Sequence, residues 1–410
     1  MTKIKRPEVL APAGDFEKLE TALRFGADAV YLAGKSFGMR AASDNFTLDE
    51  LRRATELVHS KGKKIYLTLN TMPHVSEYPE LRRFLGELKN IPIDAVIVAD
   101  LGVLANVKAL LPDMEIHIST QASICSPDAA VEYAKLGASR LVLARELTLP
   151  EISAIRKALP ERVELEAFVH GAMCVSYSGR CMFSNQLTGF DANRGECKQP
   201  CRWSYTLLEV KREELPIPVE ETEKGTFIMS SRDMCAIELI PELIAAGVNS
   251  FKIEGRVKSA YYAAVVTNAY KMAVDAYMKD PKGYKFDPSL YTELESVSHR
   301  EYCRGFYVNT PAENANLCTT SGYIREKAYL ALIDEDCKAG EMCRFVQRNK
   351  FFNGDTVELV SPGKTGRSFK IEELTDVDGT PLESAPHPGM VFYARVPFDV
   401  SKFDIIRAGD

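Results

Sequence analysis

Five cysteines lie close together near the middle of the chain, and their number and spacing are typical of metal ligands. Cys174 and Cys181 are separated by six residues, and Cys197 follows after fifteen more. Three residues separate Cys197 from Cys201, and Cys235 brings the group to five thiols within 62 residues. Zinc sites and iron–sulfur clusters are both built from converging thiolates. Only Cys197 and Cys201 have the short spacing of a zinc knuckle, so spacing alone leaves zinc and an iron–sulfur cluster open.

A second group of polar side chains follows the ends of apolar runs. If these runs are parallel strands, their carboxyl ends lie on one face, and the polar side chains lie close together there. Asn70 ends the third run, Gln121 follows the fifth, and Arg145 follows the sixth. Arg256 comes at the end of the last run. A guanidinium group binds a carboxylate through two parallel hydrogen bonds, so Arg145 and Arg256 are candidate ligands for a small anionic metabolite. We expect Asn70 and Gln121 to complete this substrate-binding set.

Four further side chains are candidates for catalytic roles. Glu166 and His170 belong to the seventh apolar run, and Lys252 and Glu254 belong to the last one. The period-two alternation of Lys252, Glu254 and Arg256 predicts that all three face the same side of a strand. Buried charges must be paired, so a purely structural layer of ion pairs is the alternative interpretation. His170 could act as an acid–base group, or it could be a packed histidine that positions the loop after it.

Eight short apolar runs separated by helical segments must position these residues. The runs occupy 8–14, 29–34, 64–70, 95–100, 115–120, 140–145, 164–170 and 250–256. Continuous apolar runs, rather than alternating ones, indicate strands that are buried on both faces. Eight βα units predict an α/β fold of the (β/α)₈ TIM type, with a doubly wound open sheet as the alternative. In such a barrel the predicted site lies at the carboxyl ends of the strands.

The predicted domain organisation has two parts. Residues 1–318 form the barrel, with a Cys-rich insertion at about 171–247 after strand seven. From 319 to 410 the pattern changes to short strands separated by Gly, Pro and Asp-Gly turns, which predicts a small C-terminal β-barrel domain. An insertion after a barrel strand belongs to the face where such barrels carry their active sites.

Composition limits the class of protein. The chain is 46% hydrophobic and 26% charged, which is ordinary for a soluble globular protein. No run approaches the roughly 20 apolar residues of a membrane span, and no long signal-peptide core is present, so we expect a cytoplasmic protein without a membrane partner. Ten cysteines in a reducing compartment are poor candidates for disulfides. The net charge of -6 argues against bulk electrostatic binding of nucleic acid, although a local basic face could still contact RNA.

The five cysteines outside the central group are scattered along the chain. We expect them to be free thiols packed as small apolar residues. They are Cys125, Cys303, Cys318, Cys337 and Cys343.

Several long segments resemble one known family. They are residues 11–15, 166–184, 189–203, 251–262 and 299–307. Together they resemble the collagenase-like peptidase family of unknown catalytic type, and the resemblance covers nearly the whole chain. Members of that family are implicated in hydroxylating RNA or quinones. The resemblance therefore implies tRNA modification, namely hydroxylation of the wobble uridine to 5-hydroxyuridine, with prephenate as a required metabolite.

The same resemblance implies a 4Fe-4S cluster. Carried over by position, Cys174, Cys181 and Cys197 are three of its ligands. Relatives differ in the fourth ligand, for which we favour Cys235, with Cys201 as the alternative. The implied partners are tRNA, a small anionic metabolite and a paralogous subunit.

Two other functions compete with RNA hydroxylation. The first is the peptidase activity in the family's name. The chain lacks the H-E-x-x-H helix of a metalloprotease, and we expect no serine-hydrolase nucleophile elbow. The second is a non-catalytic, RNA-binding iron–sulfur maturation factor, in which the C-terminal domain would contact RNA.

Overall fold

The computed structural model describes most of the chain. The described residues are 4–39, 44–203, 221–222, 225–226, 230–311, 313–314, 316–318 and 322–409. Part of the predicted Cys-rich insertion, including 204–220, lies outside the described residues. So does residue 319, where the sequence places the start of the C-terminal domain.

Eight parallel strands close into a barrel. They are β1 (Glu8–Pro12), β2 (Ala29–Ala33), β3 (Lys64–Leu69), β4 (Ala95–Val98), β5 (Glu115–Ile118), β6 (Arg140–Val142), β7 (Glu164–Ala172) and, after three short strands, β11 (Ser250–Ile253). Each strand pairs in parallel with the next, and β11 pairs with both β7 and β1. This closure confirms the predicted TIM-type barrel and excludes the open-sheet alternative.

Helices cover the outside of the barrel. They are α1 (Phe16–Arg24), α2 (Leu48–Ser60), α3 (Tyr78–Leu88), α4 (Leu101–Leu110), α5 (Pro127–Lys135), α6 (Leu149–Ala158), α8 (Ile240–Ala245), α9 (Ala260–Lys279) and α10 (Ser289–Glu295). The short helix α7 (Phe183–Thr188) belongs instead to the cysteine-rich segment that follows β7. Local sequence explains where several of the helices begin. Thr47 and Glu50 form a capping box at the start of α2, and Asp15 accepts a backbone hydrogen bond at the start of α1. Of the helices described, none combines the length and apolar character needed to cross a bilayer.

The excursion after β7 returns to the barrel through a short strand, β10 (Asp233–Cys235), which pairs antiparallel with the end of β7. On its other side β10 pairs with β12 (Tyr302–Cys303). A buried ion pair of 2.6 Å between Asp233 and Arg300 anchors this arrangement. Two further strands of the excursion, β8 (Glu221–Thr222) and β9 (Gly225–Thr226), form a small antiparallel pair. The excursion therefore leaves and rejoins the barrel at the carboxyl end of β7.

The C-terminal domain is built from short strands. They are β13 (Tyr329–Ile333), β14 (Met342–Gln347), β15 (Phe351–Phe352), β16 (Thr356–Val360), β17 (Arg367–Lys370), β18 (Glu372–Thr375), β19 (Ser384–Ala385), β20 (Val391–Arg395) and β21 (Ile405–Ala408). Seven of them form one antiparallel sheet whose edge strands are β17 and β18. Only Ile371 separates these two strands in the chain, so the sheet must curl until its edges approach each other. This β-rich domain has the barrel-like form that the sequence predicts.

Two ion pairs join the C-terminal domain to the barrel. Arg407 of β21 contacts Glu293 of α10 at 2.8 Å, and its side chain is only 3% exposed. Arg24 of α1 contacts Asp404 at 2.5 Å. The C-terminal domain therefore packs on the helical outside of the barrel, next to α1 and α10.

Candidate functional site

Four cysteine side chains line one cavity above the carboxyl ends of the barrel strands. They are Cys174, Cys181, Cys197 and Cys201, and the cavity has a volume of about 220 Å³. Burial raises the pKa of the Cys201 thiol; the neighbouring cysteines of the cavity add to this rise, and Arg202 opposes it. The structure thus brings together three of the predicted metal ligands and the alternative fourth one.

Short local contacts hold the loops that carry these cysteines. The side-chain amide of Asn193 donates to the carbonyl of Cys181 at 3.0 Å, and the backbone N–H of Gln199 donates to the sulfur of Cys197 at 3.4 Å. Gly179, with φ of +74°, lies so close to the barrel that a Cβ there would stand 2.4 Å from the carbonyl oxygen of Gln121. A glycine is therefore required where this loop crosses the barrel mouth.

Cys235, the preferred fourth ligand in the sequence analysis, lies elsewhere. It is 3% exposed, belongs to β10 and lines a separate cavity together with Tyr302 and Cys303. Burial raises the pKa of its thiol to about 12, which disfavours the thiolate that binds metal. Its pairing with His170 across β10 and β7 keeps it beside β7 and out of the cysteine cavity. The geometry therefore favours Cys201 as the fourth ligand.

A second, smaller cavity of about 70 Å³ lies in the mouth of the barrel. All four predicted substrate-binding residues line it, together with two of the predicted catalytic residues: Asn70, Gln121, Arg145, Arg256, Lys252 and Glu254. Arg145 and Gln121 line both cavities, as do Met39 and Ser178. The polar cavity and the cysteine cavity therefore adjoin, and side chains between them can contact ligands in both.

Arg145 is positioned by the excursion. Its two terminal nitrogens donate to the carbonyl of Ala172 at 3.2 Å and to the hydroxyl of Ser178 at 2.9 Å. Its buried Nε and the buried Oε1 of Gln121 have no hydrogen-bond partner among the described residues. Buried polar atoms are normally hydrogen-bonded, so these two mark a place where a ligand or water belongs.

Arg256 and Asn70 are also held in place. A guanidinium nitrogen of Arg256 donates to the carbonyl of Met39, and the second lies 3.4 Å from the Asn45 side chain. The Asn70 amide donates to Ser119 at 3.2 Å and accepts from the N–H of Met39 at 3.1 Å. The site residues therefore come from several different strand ends, as the barrel predicts.

Lys252 lines the polar cavity and is held there by an ion pair with Glu166. The ammonium of Lys252 contacts Glu166 at 2.7 Å, and Glu166, which is fully buried, also contacts Arg140 at 3.0 Å. Arg140 in turn binds Glu8 and Glu164 near the amino ends of the strands, each at 2.7 Å. Glu166 does not line the polar cavity, which corrects its predicted place in the site. It belongs instead to a buried network of ion pairs with Lys252 and Arg140.

His170 lies outside both cavities. Its ring is 1% exposed and packs among tyrosines, with ring centroids 5.9 Å from Tyr262, 5.7 Å from Tyr270 and 5.3 Å from Tyr302. Burial lowers its pKa to about 3, so the ring is neutral at physiological pH. The structure therefore places His170 as a packed histidine and not with the predicted catalytic residues.

Sequence reasoning missed several residues of the site. Ser119 and Thr68 line the polar cavity, and Ser119 directly follows β5, so the rule that selected Asn70 would also have found it. The five cysteines outside the central group were predicted to be packed in the interior. This prediction is wrong for Cys125, which is exposed, and is confirmed for Cys343, which is fully buried.

The sequence matches two family patterns, Peptidase family U32 over residues 14–317 and the Peptidase family U32 C-terminal domain over residues 325–407. The chain is 35% identical over 408 residues to "tRNA hydroxylation protein P1" of Bacillus subtilis, covering 99% of this chain and 95% of that protein. It is 39% identical over 275 residues to the "23S rRNA 5-hydroxycytidine C2501 synthase" of Escherichia coli, covering 67% of this chain and 40% of that protein. It is 30% identical over 378 residues to a "Collagenase" of Porphyromonas gingivalis, covering 90% and 89%. These matches confirm the family resemblance, and the chain belongs to Peptidase family U32.

Proposed function

We propose that this protein is an RNA-modifying enzyme that hydroxylates the wobble uridine of tRNA and carries a 4Fe-4S cluster. The observation that carries the proposal is the cavity lined by Cys174, Cys181, Cys197 and Cys201, which adjoins a polar cavity in the barrel mouth. The similarity to a tRNA hydroxylation protein along 99% of the chain supports the choice of substrate. A 4Fe-4S cluster, when bound, supplies one-electron chemistry next to the polar cavity.

The spacing of the thiols favours a cluster over a single zinc ion. With zinc–sulfur bonds of about 2.3 Å, tetrahedral ligand sulfurs lie about 4 Å apart. Among the described residues, no three of the four cavity sulfurs lie within 4.8 Å of one another. A cluster with a separate iron atom for each thiolate spreads its ligands further apart, and four thiolates are its usual donor set.

The polar cavity is suited to the carboxylates of a small metabolite, and we propose prephenate as its ligand. Arg145, Arg256 and Lys252 place three cationic groups around it, and the buried Nε of Arg145 has no hydrogen-bond partner among the described residues. Bidentate pairing with a carboxylate would satisfy Arg145. The small size of the cavity suits a carboxylate group, and the remainder of the ligand would extend toward the cysteine cavity.

The peptidase alternative finds little support in the geometry. Contrary to the sequence expectation, a G-x-S-x-G pattern does occur, at residues 34–38. In a hydrolase elbow the serine stands between a strand and a helix. Here bends follow β2, the next helix among the described residues begins at Leu48, and the Ser36 hydroxyl donates to Glu80 at 3.4 Å. No histidine hydrogen-bonds this hydroxyl among the described residues, so the pattern does not form a serine–histidine pair.

The test of the proposed function is mass analysis of tRNA nucleosides from a strain that lacks this gene. We expect 5-hydroxyuridine derivatives to disappear, and to return with the wild-type gene but not with Cys181→Ala. Cys125→Ala is a matched control, because Cys125 is exposed and lines neither cavity. If Cys181→Ala restores the modification as well as the wild type does, the cluster-dependent reaction is excluded. Unchanged nucleosides together with gelatin cleavage by the purified protein would instead support the peptidase.

The ligand of the polar cavity can be tested by calorimetric titration with prephenate. Arg145→Ala removes a charged hydrogen-bonding group, which is worth about 1.5–3 kcal/mol, so the affinity should fall by about tenfold to a hundredfold. Arg162→Ala is the control, because Arg162 is exposed and outside both cavities. Equal affinities for the Arg145 variant and the wild type would exclude this residue from the site.

A further inference from the structure

The hairpin that joins β13 and β14 carries a compact set of ligand atoms far from the barrel mouth in sequence. The sulfurs of Cys337 and Cys343 and a carboxylate oxygen of Glu335 all lie within 4.8 Å of one another. Within the part of the chain that the structure describes, this is the one group of three or more His, Cys, Asp or Glu ligand atoms so close together. It is separate from the four-cysteine cavity and plays no part in the proposed hydroxylation.

The fold prepares this arrangement before any ligand binds. Cys343 lies on β14 and is fully buried, so its sulfur is fixed by the sheet. Reciprocal backbone hydrogen bonds of 3.1 and 3.0 Å with Val400 hold Cys337 beside it. Glu335 accepts the backbone N–H of Arg344 through Oε1 at 2.9 Å, which turns its carboxylate toward the thiols. The Oε1 atom of Glu335 lies 3.9 Å from the Cys337 sulfur.

We infer that Glu335, Cys337 and Cys343 form a binding site for a thiophilic divalent cation of the zinc class. Tetrahedral zinc, with bonds of about 2.3 Å to sulfur and about 2.0 Å to oxygen, places these two ligand atoms about 3.5 Å apart. The observed separation of 3.9 Å needs only a small adjustment. Binding forms two metal–thiolate bonds and releases the two thiol protons to solvent. Three protein ligands leave one coordination position for water or an external ligand on the exposed side of Glu335.

The full-length chain is titrated with Co²⁺ under reducing conditions, and thiolate-to-cobalt absorption is recorded. The variants are Cys337→Ser, Glu335→Gln and the control Cys125→Ser, whose thiol is exposed and outside the hairpin. The four-cysteine cavity can also take up cobalt, so the measured quantity is the difference between each variant and the wild type. We expect Cys337→Ser to lose one equivalent of Co²⁺ and Cys125→Ser to lose none. Glu335→Gln should weaken binding at this site at least about tenfold.

A second measurement does not depend on how the variants fold. Zn²⁺ added to the wild-type chain should slow alkylation of Cys337, read by peptide mass mapping, without slowing alkylation of Cys125. Equal cobalt stoichiometry in Cys337→Ser and the wild type overturns the inference. Alkylation of Cys337 that is indifferent to Zn²⁺ overturns it as well, and so does a Cys337–Cys343 disulfide that persists under the reducing conditions.

Discussion

The choice between Cys201 and Cys235 as the fourth cluster ligand predicts opposite outcomes for their alanine variants. Cys201 lines the cavity that contains the other three cysteines, whereas Cys235 lies in β10 and is 3% exposed. We therefore expect Cys201→Ala to lose the cluster and to leave the fold largely intact. Cys235→Ala should keep the cluster and lose stability instead, because it empties a small volume in the packed interior.

The size of the stability effect follows from burial. Replacing the Cys235 thiol with hydrogen removes one buried group of about methylene size, which is worth about 0.8 kcal/mol plus a small cavity cost. The free energy of unfolding should therefore fall by about 1 kcal/mol in Cys235→Ala. In Cys201→Ala, a half-buried side chain shrinks, and the change in stability of the cluster-free protein should be smaller.

The assay is anaerobic purification followed by iron and sulfide quantification, the visible spectrum and urea unfolding of the cluster-free chain. The wild type and Cys235→Ala should each contain about four irons per chain, the composition of a 4Fe-4S cluster. Cys201→Ala should contain little iron and lack the visible absorption. The opposite pattern, with iron lost in Cys235→Ala and retained in Cys201→Ala, would refute the reasoning from cavity geometry.

Three further predictions concern titratable side chains of β7. Glu166→Gln removes the carboxylate that the buried Arg140 and Lys252 share, so the free energy of unfolding measured in urea should fall by about 3 kcal/mol or more. The control Glu132→Gln breaks only an exposed ion pair and should lower the free energy of unfolding by less than about 1 kcal/mol. Burial opposes ionisation of Glu164, but Lys5 and Arg140 lower its pKa to about 2. The carboxylate therefore stabilises the fold above its unfolded pKa, and up to about 3 kcal/mol of the free energy of unfolding should be lost as the pH falls from about 4.5 to about 2. Glu164→Gln should not show this loss. Because burial lowers the pKa of His170 to about 3, its ring resonances in NMR spectra should not titrate between about pH 5 and 8, and a titrating signal would contradict its placement among the tyrosines.

Much of the barrel could be predicted from local patterns alone. Strands that are buried on both faces need apolar residues at every position, so each of the eight runs marked its strand to within a few residues. The start of α2 also depends on local sequence, because its cap is formed by Thr47 and Glu50 of the same helical turn. The ends of strands were less certain: the last run was predicted to continue to 256, but β11 ends at Ile253.

The polar cavity was also partly predictable, since parallel strands bring their carboxyl ends to one face. That rule placed Asn70, Gln121 and Arg145 together without any knowledge of their contacts. The same rule gave the wrong position for His170, because a bulge interrupts the pairing of β7 with β11. At this bulge Lys252 pairs with Phe168, but the next residue, Ile253, pairs with His170. A bulge disrupts the alternation of side chains across a strand, and the His170 ring packs against tyrosines of α9.

The sequence by itself determined the eight-stranded barrel, the face that carries the site and the presence of a dense thiol group on that face. These features follow from local periodicity and from strand direction, which are properties of neighbouring residues. Only the tertiary structure decided which thiols line the same cavity, because the distance between loop residues depends on how the excursion folds back. The pairing of β10 with β7 takes Cys235 away from the cavity, and the short helical turn that contains Cys201 returns to it.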